Sequence, residues 1–247
     1  MQLEKGIARE SEKDALHASQ TAKELREQLS AVLGHDLRNP LQAIVVTSEL
    51  IAKKSTDPDV VALARRIKAN SKRMSSLIDD VLDFTRGRLG GEIGIRIEVV
   101  PDINAALRAV VQELQNGHPT RQIIADVAVD RTVRCDNGRI QQLASHLIGN
   151  ALAHGAPDSP VKVTATAADN DLIFEVWNDG QPIPPERQEK VFEPFRRHSA
   201  TSSRPSLGLG LFICAQIVRE HHGEITVTST QEGGTRFTVR LPLYFLS

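Results

Sequence analysis

The sequence has little of several features that mark specialised classes of protein. Only two of its 247 residues are cysteine, Cys135 and Cys214, and they lie far apart without the spacing of metal ligands. We expect reduced, buried thiols rather than a disulfide. The formal net charge is −1, so no excess of basic residues supports nucleic-acid binding. No apolar run approaches the ~20 residues of a membrane span, and the polar N-terminus is atypical of a signal peptide. These absences predict a cytoplasmic protein with neither a membrane span nor a nucleic-acid partner.

Glycine and proline are also scarce in the first 88 residues, which predicts long helices there. In the first helix, apolar or small residues recur every three or four positions: Ala18, Ala22, Leu25, Leu29, Leu33, Leu37, Leu41, Ile44, Ser48 and Ile51. The segment KKSTDPD, residues 53–59, predicts a turn, and Pro58 is well placed to begin a second helix.

The second helix carries an apolar seam with steps of three and four residues: Val60, Leu63, Ile67, Asn70, Met74, Leu77, Val81 and Phe84. This is a heptad pattern with one polar member, Asn70. Two helices in a hairpin cannot bury seams of this length by themselves. We therefore expect two hairpins to pair into a dimeric four-helix bundle. The alternative is a two-helix coiled coil within one chain, with solvent on one side.

The pattern changes after the glycine-rich segment 86–94, RGRLGGEIG, which predicts a linker. Beyond it, three helix patterns at 102–116, 137–153 and 207–222 alternate with segments rich in β-branched residues. The strand-like segments are IRIEVV, QIIADVAV, TVRCD, VKVTATAA, DLIFEVWN, EITVTST and TRFTVRLPL. This alternation predicts an α/β sandwich of about 150 residues, so that the whole chain is a multidomain α+β protein.

The segment HDLRNPL, residues 35–41, places a histidine beside an acid within the first helix. Because each helical residue advances about 100°, His35 is directed away from Leu33 and Leu37, while Asn39 shares its face. Asp36 can hold one ring proton and leave the other nitrogen of His35 more nucleophilic. Taken by itself, His35 also fits an exposed helix histidine with no role.

The segments that follow His35 in the chain favour a chemical role for it. HDLRNPL resembles the phosphoacceptor box of two-component sensor histidine kinases, and the later segments resemble that family's ATP-binding boxes in the family's order. These segments are HLIGNALAHG, VWNDGQPIP, VFEPFRRH, SLGLGLFICAQIVREHHGEI and EGGTRFTVRLP. The resemblance spans roughly residues 25–245 and implies a Bergerat-type ATP-binding sandwich. It divides the chain into a signalling coiled coil (1–24), a dimerisation and phosphotransfer hairpin (25–88), a linker (89–94) and a catalytic domain (95–247).

The resemblance also assigns the residues that would bind Mg–ATP. Asn150 matches the asparagine that holds Mg²⁺ with the triphosphate, since magnesium prefers oxygen ligands. His154 is its polar neighbour, because Ala153 replaces the lysine that the family often carries. His146 occupies the position where related ATPases have a glutamate that activates water, which argues against simple hydrolysis. Both His146 and His154 also fit helix histidines with only a structural role.

Further matches lie around the glycines. Gly208, Gly210 and Leu211 begin a helix whose N-terminus suits phosphates, and Ser206 replaces a third glycine. The basic segment between Phe195 and Gly208 resembles a lid, with Arg196, Arg197 and Arg204 as candidate phosphate partners. Phe192 and Phe195 are expected to pack beneath this lid.

The segment VWNDGQPIP departs from the family's usual D-x-G-x-G. Asn178 replaces the aspartate that would contact the adenine amino group, Gly180 keeps its position, and Pro182 replaces the second glycine. The carboxamide oxygen of Asn178 can still accept a hydrogen bond from that amino group. Asp179 is the alternative adenine contact. Thr235 is expected to reach the base through water.

The resemblance implies that the protein phosphorylates itself on His35 from Mg–ATP and transfers the phosphoryl group to an aspartate of a response-regulator receiver domain. Asp36 would activate His35, and Asn39 matches the residue that positions water to dephosphorylate the regulator. The input is expected from an N-terminal sensor domain or a sensor partner. Two alternatives remain: a nucleotide-binding dimeric scaffold with little transfer activity, and a gyrase-like ATPase or protein-serine kinase that does not need His35.

Overall fold

The computed structural model describes residues 36–88, 93–195 and 207–243. The chain divides into two compact units, Met1–Gly91 and Glu92–Ser247. The expected coiled coil at 1–24, and the expected site residues His35, Arg196 and Ser206, lie outside the described residues. No helix within the three described ranges is long and apolar enough to cross a membrane.

The first unit contains the expected helical hairpin. Helix α1 covers residues 36–54, the chain is not helical at 55–57, and α2 runs from Pro58 to Arg88. Proline suits the first position of a helix, where a backbone N–H has no helical partner. The side chain of Asp57 accepts a hydrogen bond from the backbone N–H of Asp59 at 2.9 Å, which satisfies another such donor.

The buried residues of α2 differ from the seam predicted for that helix, whereas Leu41 and Ser48 of α1 are buried and belong to its predicted pattern. The buried side chains of the hairpin are Leu41, Val45, Ser48, Ala64, Ser71, Asp80, Leu82 and Asp83. The seam residues Leu63, Ile67 and Met74 are 56%, 46% and 54% exposed. The small residues Ala64 and Ser71 allow α1 to approach α2, and the larger seam residues therefore project outward.

The second unit is built on a mixed five-stranded sheet. Its strands are β2 (Ile123–Ala128), β4 (Val161–Ala168), β5 (Asp171–Asn178), β6 (Glu224–Thr230) and β7 (Gly234–Pro242), in the spatial order β2-β4-β5-β7-β6. Only β2 and β4 are parallel. A separate antiparallel pair joins β1 (Glu98–Val100) to β3 (Val133–Cys135).

Three helices and the sheet enclose the core of this unit. They are α3 (Ile103–Gly117), α4 (Asn137–His154) and α6 (Gly210–Glu220). Fully buried residues come from both layers, for example Leu147 and Ile148 on α4, Ile213 on α6 and Phe237 on β7. Asp136 caps α4 by accepting from the backbone N–H of Arg139 at 3.0 Å. The expected layered α/β architecture is confirmed.

The strand expected at 95–100 begins only at Glu98, and side chains from elsewhere in the unit bind the backbone just before it. Asp136 accepts from the N–H of Arg96 at 2.8 Å, and Arg139 donates to the carbonyl of Ile93 at 2.9 Å. Glu220 accepts from the N–H of Ile93. A second difference is a short helix α5 (Pro185–Gln188), followed by a 3-10 turn (Glu189–Phe192), which is too short to give a periodic pattern.

Candidate functional site

Asn178 ends strand β5 on the face that packs against the helices. The buried positions of β5 alternate through Leu172, Phe174, Val176 and Asn178, and Asn178 is 5% exposed. Its carboxamide nitrogen donates to the carbonyl of Asp179 at 3.0 Å, which leaves the carboxamide oxygen as the acceptor. The side chain of Asp179 is exposed and accepts from the N–H of Gly180 at 2.8 Å.

Two glycines allow the end of α4 to approach the strand end that carries Asn178. Gly155 and Gly180 form an isolated β-bridge, and the N–H of Ala156 donates to the carbonyl of Asp179 at 2.7 Å. A Cβ at Gly155 would lie 3.0 Å from the Cβ of Asn178. Gly180 has φ +140, and a Cβ there would lie 3.0 Å from the carbonyl oxygen of His154. The glycine of the VWNDGQPIP segment is therefore required by both backbone conformation and space.

Thr235 lies beside Asn178 on the neighbouring strand. The two residues are register partners of β7 and β5, and Thr235 is buried. Its hydroxyl is 2.7 Å from the hydroxyl of Ser229, which accepts from the N–H of Ile183 at 2.8 Å. Gln188 donates to the carbonyl oxygens of Ile183 and Ser229, each at 2.9 Å. This polar network fixes the loop after Gly180 against β6 and β7.

The N-terminus of α6 approaches α4 one helical turn before Asn150. A Cβ at Gly210 would lie 3.0 Å from Nδ1 of His146, so only glycine gives this approach without a shift. Gly208 has φ +68, and its carbonyl accepts from the N–H of Phe195 at 2.9 Å. Leu211 and Asn150 are both half-buried. Asn150 and the first residues of α6 thus belong to one region of the unit.

Phe192 and Phe195 differ in their surroundings. Phe192 packs edge-to-face against Phe237 with ring centroids 6.2 Å apart, whereas Phe195 is 54% exposed. Phe192 therefore packs within the domain, and the expected packing of both rings beneath the lid stays a prediction. Arg197 and Arg204 of the expected lid lie outside the described residues, as Arg196 does.

The histidines of the second unit have different environments. Desolvation lowers the pKa of His154 below its ordinary value, although part of its side chain is exposed, so the imidazole favours the neutral form. His221 is fully buried: its Nδ1 lies 2.7 Å from the carbonyl of Ile217, and its Nε2 accepts from the N–H of Asp136 at 3.0 Å. Burial is the main cause that lowers the pKa of His221. The His221 contact ties the end of α6 to the start of α4.

No cluster of three or more His, Cys, Asp or Glu side chains that could hold a metal ion occurs in the described ranges. A magnesium ion in this unit would therefore depend on an amide oxygen such as that of Asn150 together with oxygens of the substrate. That donor set fits magnesium, which is commonly held by one or two protein oxygens plus phosphates and waters.

In the hairpin, Asp36 and Asn39 are both exposed on α1. Between them, Arg38 makes an ion pair with Asp79 on α2, in which Nε lies 2.8 Å from Oδ1 and Nη2 contacts the same oxygen. The pair fixes the first described turn of α1 to α2. Sequence reasoning missed it because its members lie 41 residues apart and share no periodic pattern.

Two other residues near Asn178 were also missed. Arg121 contacts the carbonyl oxygens at the end of α4, and Trp177 donates to the carbonyl of Gly233 at 2.7 Å. Trp177 is the only tryptophan in the chain and directly precedes Asn178. That uniqueness was a usable signal, whereas Arg121 lies in no recognisable motif.

Comparison with protein families gives two matches in chain order. Residues 25–90 match the His Kinase A (phospho-acceptor) domain. Residues 135–244 match the histidine kinase-, DNA gyrase B- and HSP90-like ATPase family. The first match contains the HDLRNPL segment, and the second contains Asn150, Asn178, Gly210 and Thr235.

Similar curated proteins include a bacteriophytochrome of Pseudomonas aeruginosa, 36% identical over 232 residues that cover 92% of this chain and 31% of that protein. Another is the probable sensor histidine kinase TcrY of Mycobacterium tuberculosis, 33% identical over 93% of this chain and 48% of that protein. The chain thus spans less than half the length of either relative.

Among solved structures, full-length ShkA in complex with AMPPNP is similar with a TM-score of 0.62 and 25% identity, over 89% of this chain and 46% of that one. The catalytic domain of histidine kinase ThkA is similar with a TM-score of 0.52 and 28% identity, over 60% of this chain and 96% of that one.

Proposed function

We propose that this chain, which belongs to the two-component sensor histidine kinase family, transfers the γ-phosphoryl group of ATP to His35 and then to an aspartate of a response-regulator receiver domain. The observation that carries the proposal is the buried carboxamide of Asn178, which lies beside Thr235. Its nitrogen is used as a donor to Asp179, so its oxygen is the atom that can accept a hydrogen bond from a ligand. The order of the phosphoacceptor and ATPase domains in the chain supports the same function.

The adenine ring would be recognised at the end of β5. The exocyclic amino group of adenine is a donor, and the carboxamide oxygen of Asn178 accepts from it. Thr235 would reach the base through water, and Gly180 leaves room for close approach. Compared with an aspartate, Asn178 forms a contact without charge assistance, which costs about 1 kcal/mol of affinity.

The triphosphate would extend from the base toward Asn150 and the N-terminus of α6. Backbone N–H groups at a helix start lack helical partners and attract phosphate oxygens, and the glycines at 208 and 210 permit close approach. Leu211 continues this first turn, and His154, Arg196 and Ser206 are the further proposed contacts. When bound by Asn150, Mg²⁺ neutralises charge on the phosphates.

His35 is the proposed nucleophile. Its neutral ring nitrogen forms a bond to the γ-phosphorus while the bond to the bridging oxygen breaks, and ADP leaves. Asp36 holds the proton on the other ring nitrogen. In the second step, a receiver carboxylate accepts the phosphoryl group and neutral His35 is regenerated. Asn39 would position a water for the reverse task, hydrolysis of the phosphorylated receiver.

Exposed apolar side chains of the hairpin support a homodimer. Leu37, Ile44 and Ile51 recur every seven residues on α1, and Ile67, Met74 and Val81 do so on α2, all of them exposed in a single chain. Stripes of this kind are buried when two hairpins form a four-helix bundle. A sensor domain or sensor partner on the N-terminal side would act through this bundle. We expect the protein to work in the cytoplasm, where ATP is available and thiols stay reduced.

The test is a single-turnover reaction with γ-labelled ATP and Mg²⁺, followed by addition of a purified receiver domain. The wild type should release one ADP per labelled chain, and the label should then move to the receiver. His35→Gln should bind ATP with unchanged affinity and take up no label. ATP binding without labelling of the wild type would indicate a nucleotide-binding scaffold instead. ATP turnover by His35→Gln at the wild-type rate would indicate a gyrase-like ATPase.

A further inference from the structure

We infer that Arg121 is a positioning residue for adenine recognition, because it holds the turn after α4 against the strand end that carries Asn178. This inference rests on the proposed nucleotide site and adds to it a residue outside every ATP-binding motif. Arg121 lies between α3 and β2, 57 positions before Asn178 in the chain.

The guanidinium group of Arg121 approaches three carbonyl oxygens. Nη1 donates to Leu152 at 3.3 Å and to Gly155 at 3.2 Å, and Nη2 donates to Ser159 at 3.4 Å. These carbonyls belong to the last turn of α4 and the loop that follows, where carbonyls have no helical N–H partner. A planar guanidinium with several fixed donors can contact all three at once, whereas a lysine ammonium cannot do so from the same position.

The turn that Arg121 holds is in contact with Asn178. A Cβ at Gly155 would lie 3.1 Å from Nη2 of Arg121 and 3.0 Å from the Cβ of Asn178, so Gly155 lies between the two side chains. The N–H of Ala156 donates to the carbonyl of Asp179, which in turn accepts from the carboxamide of Asn178. A shift of this turn would therefore change the orientation of the Asn178 oxygen.

Arg121 is itself held in place by Gln115 on α3. Nε2 of Gln115 donates to the carbonyl of Arg121 at 2.6 Å, and its Oε1 accepts from the N–H of Ile123 at 2.9 Å. The backbone N–H of Arg121 also donates to the carbonyl of His118 at 3.0 Å. Because the N–H and the carbonyl of Arg121 are both hydrogen-bonded, the position of its backbone, from which the side chain extends, is fixed.

These contacts all lie at the proposed base end of the site. The three hydrogen bonds of the Arg121 guanidinium described above go to Leu152, Gly155 and Ser159 and not to the start of α6. Loss of the guanidinium should therefore weaken the recognition of adenine while leaving the binding of phosphates intact. A general loss of folding would weaken both.

The experiment compares the wild type with Arg121→Met and Arg121→Lys, and with Arg108→Met as a matched control. Arg108 also donates to a backbone carbonyl of the same unit, that of Val127 at 2.6 Å. The dissociation constants for Mg–ATP, Mg–GTP and Mg–tripolyphosphate are measured by calorimetry. The rate of His35 labelling at saturating ATP is measured separately.

We expect Arg121→Met to raise the dissociation constant for ATP about tenfold and to reduce the preference for ATP over GTP by a similar factor. Tripolyphosphate affinity and the labelling rate at saturating ATP should stay at wild-type values. Arg121→Lys should recover little of the ATP affinity, and Arg108→Met should match the wild type in all three dissociation constants.

Equal loss of ATP and tripolyphosphate affinity in Arg121→Met would overturn the inference, and so would an unchanged preference for ATP over GTP. Failure of the proposed function has a different signature, since it appears in the wild type as binding of ATP without labelling. In that case the three dissociation constants still test Arg121. A wild type that does not prefer ATP to GTP would contradict adenine recognition at this site and the role of Arg121 with it.

Discussion

Asn178 and Asp179 are neighbours in the chain but point to opposite sides of the strand end. Asn178 is buried on the helix-facing side and donates to the carbonyl of Asp179 at 3.0 Å, while the carboxylate of Asp179 is exposed. The sequence leaves both residues open as the adenine contact, and this arrangement favours Asn178.

The two candidates can be separated by substitution. Asn178→Ala removes the proposed acceptor, so the dissociation constant for ATP should rise about tenfold, the effect of one lost buried hydrogen bond. Asp179→Asn keeps an oxygen that can accept from the N–H of Gly180, so this substitution should change the dissociation constant for ATP less than twofold. The fluorescence of Trp177, the neighbouring and single tryptophan, provides a binding signal. A larger loss of affinity in Asp179→Asn than in Asn178→Ala would instead assign the contact to Asp179.

Gly180 and Gly149 form a matched pair of glycines. Gly180→Ala puts a Cβ on a residue with φ +140, 3.0 Å from the carbonyl oxygen of His154. The free energy of unfolding should therefore fall by about 1–3 kcal/mol. Gly149→Ala has no atom within 4 Å of the new Cβ in a helix interior, so it should raise the free energy of unfolding by up to about 1 kcal/mol. Urea unfolding of the two variants measures both changes. Equal effects of the two substitutions would mean that the Gly180 turn tolerates a side chain.

The buried His221 predicts how stability depends on pH. Because the pKa of His221 is lowered in the folded protein, the unfolded chain binds its proton at a higher pH than the folded chain does. The free energy of unfolding should therefore fall as the pH drops through the ordinary histidine value of 6.5. His154 contributes in the same direction.

Denaturant unfolding between pH 5 and 8, about the range in which histidine titrates, tests this dependence. His221→Phe should reduce the slope below pH 6.5 and lower stability at neutral pH, because the N–H of Asp136 loses its acceptor. The exposed neighbour His222 provides the control as His222→Asn, since asparagine tolerates its φ of 56. An unaltered slope in His221→Phe would rule out His221 as its source.

The exposed apolar stripes of α1 and α2 predict a dimer, and charged side chains introduced into a stripe should disrupt it. The double substitution Ile67→Glu with Met74→Glu places carboxylates on two exposed positions of the stripe, so the protein should sediment as a monomer. Arg65→Glu introduces a carboxylate at another exposed position of α2 and should leave the dimer intact. Sedimentation equilibrium of the wild type and both variants measures the result. A monomeric wild type, or a dimeric double variant, would contradict the four-helix bundle.

Particular elements show how far sequence reasoning reaches. Strands β4 and β5 could be predicted closely, because both segments are rich in strand-forming residues and every second residue is buried. The hairpin could also be predicted, but not which stripe packs within the chain. That choice depends on small residues such as Ala64 and Ser71, which allow close approach and give little hydrophobic signal.

The candidate site divides in the same way. Glycines and amides in local motifs could be identified, because each motif occupies one short segment. Arg121 could not, since its partners lie 31 to 38 residues further along the chain and meet it only after folding. The late start of β1 was unpredictable for the same reason, because a side chain distant in sequence binds the backbone just before it.

The most direct measurement of the central claim is to locate the phosphoryl group after incubation with Mg–ATP. The protein is digested at neutral to mildly alkaline pH, which preserves phosphohistidine, and the peptides are analysed by mass spectrometry. We expect one modified site, His35, with an acid-labile modification that is absent from His35→Gln. Modification at a serine, threonine or another histidine, with His35 unmodified, would contradict the claim.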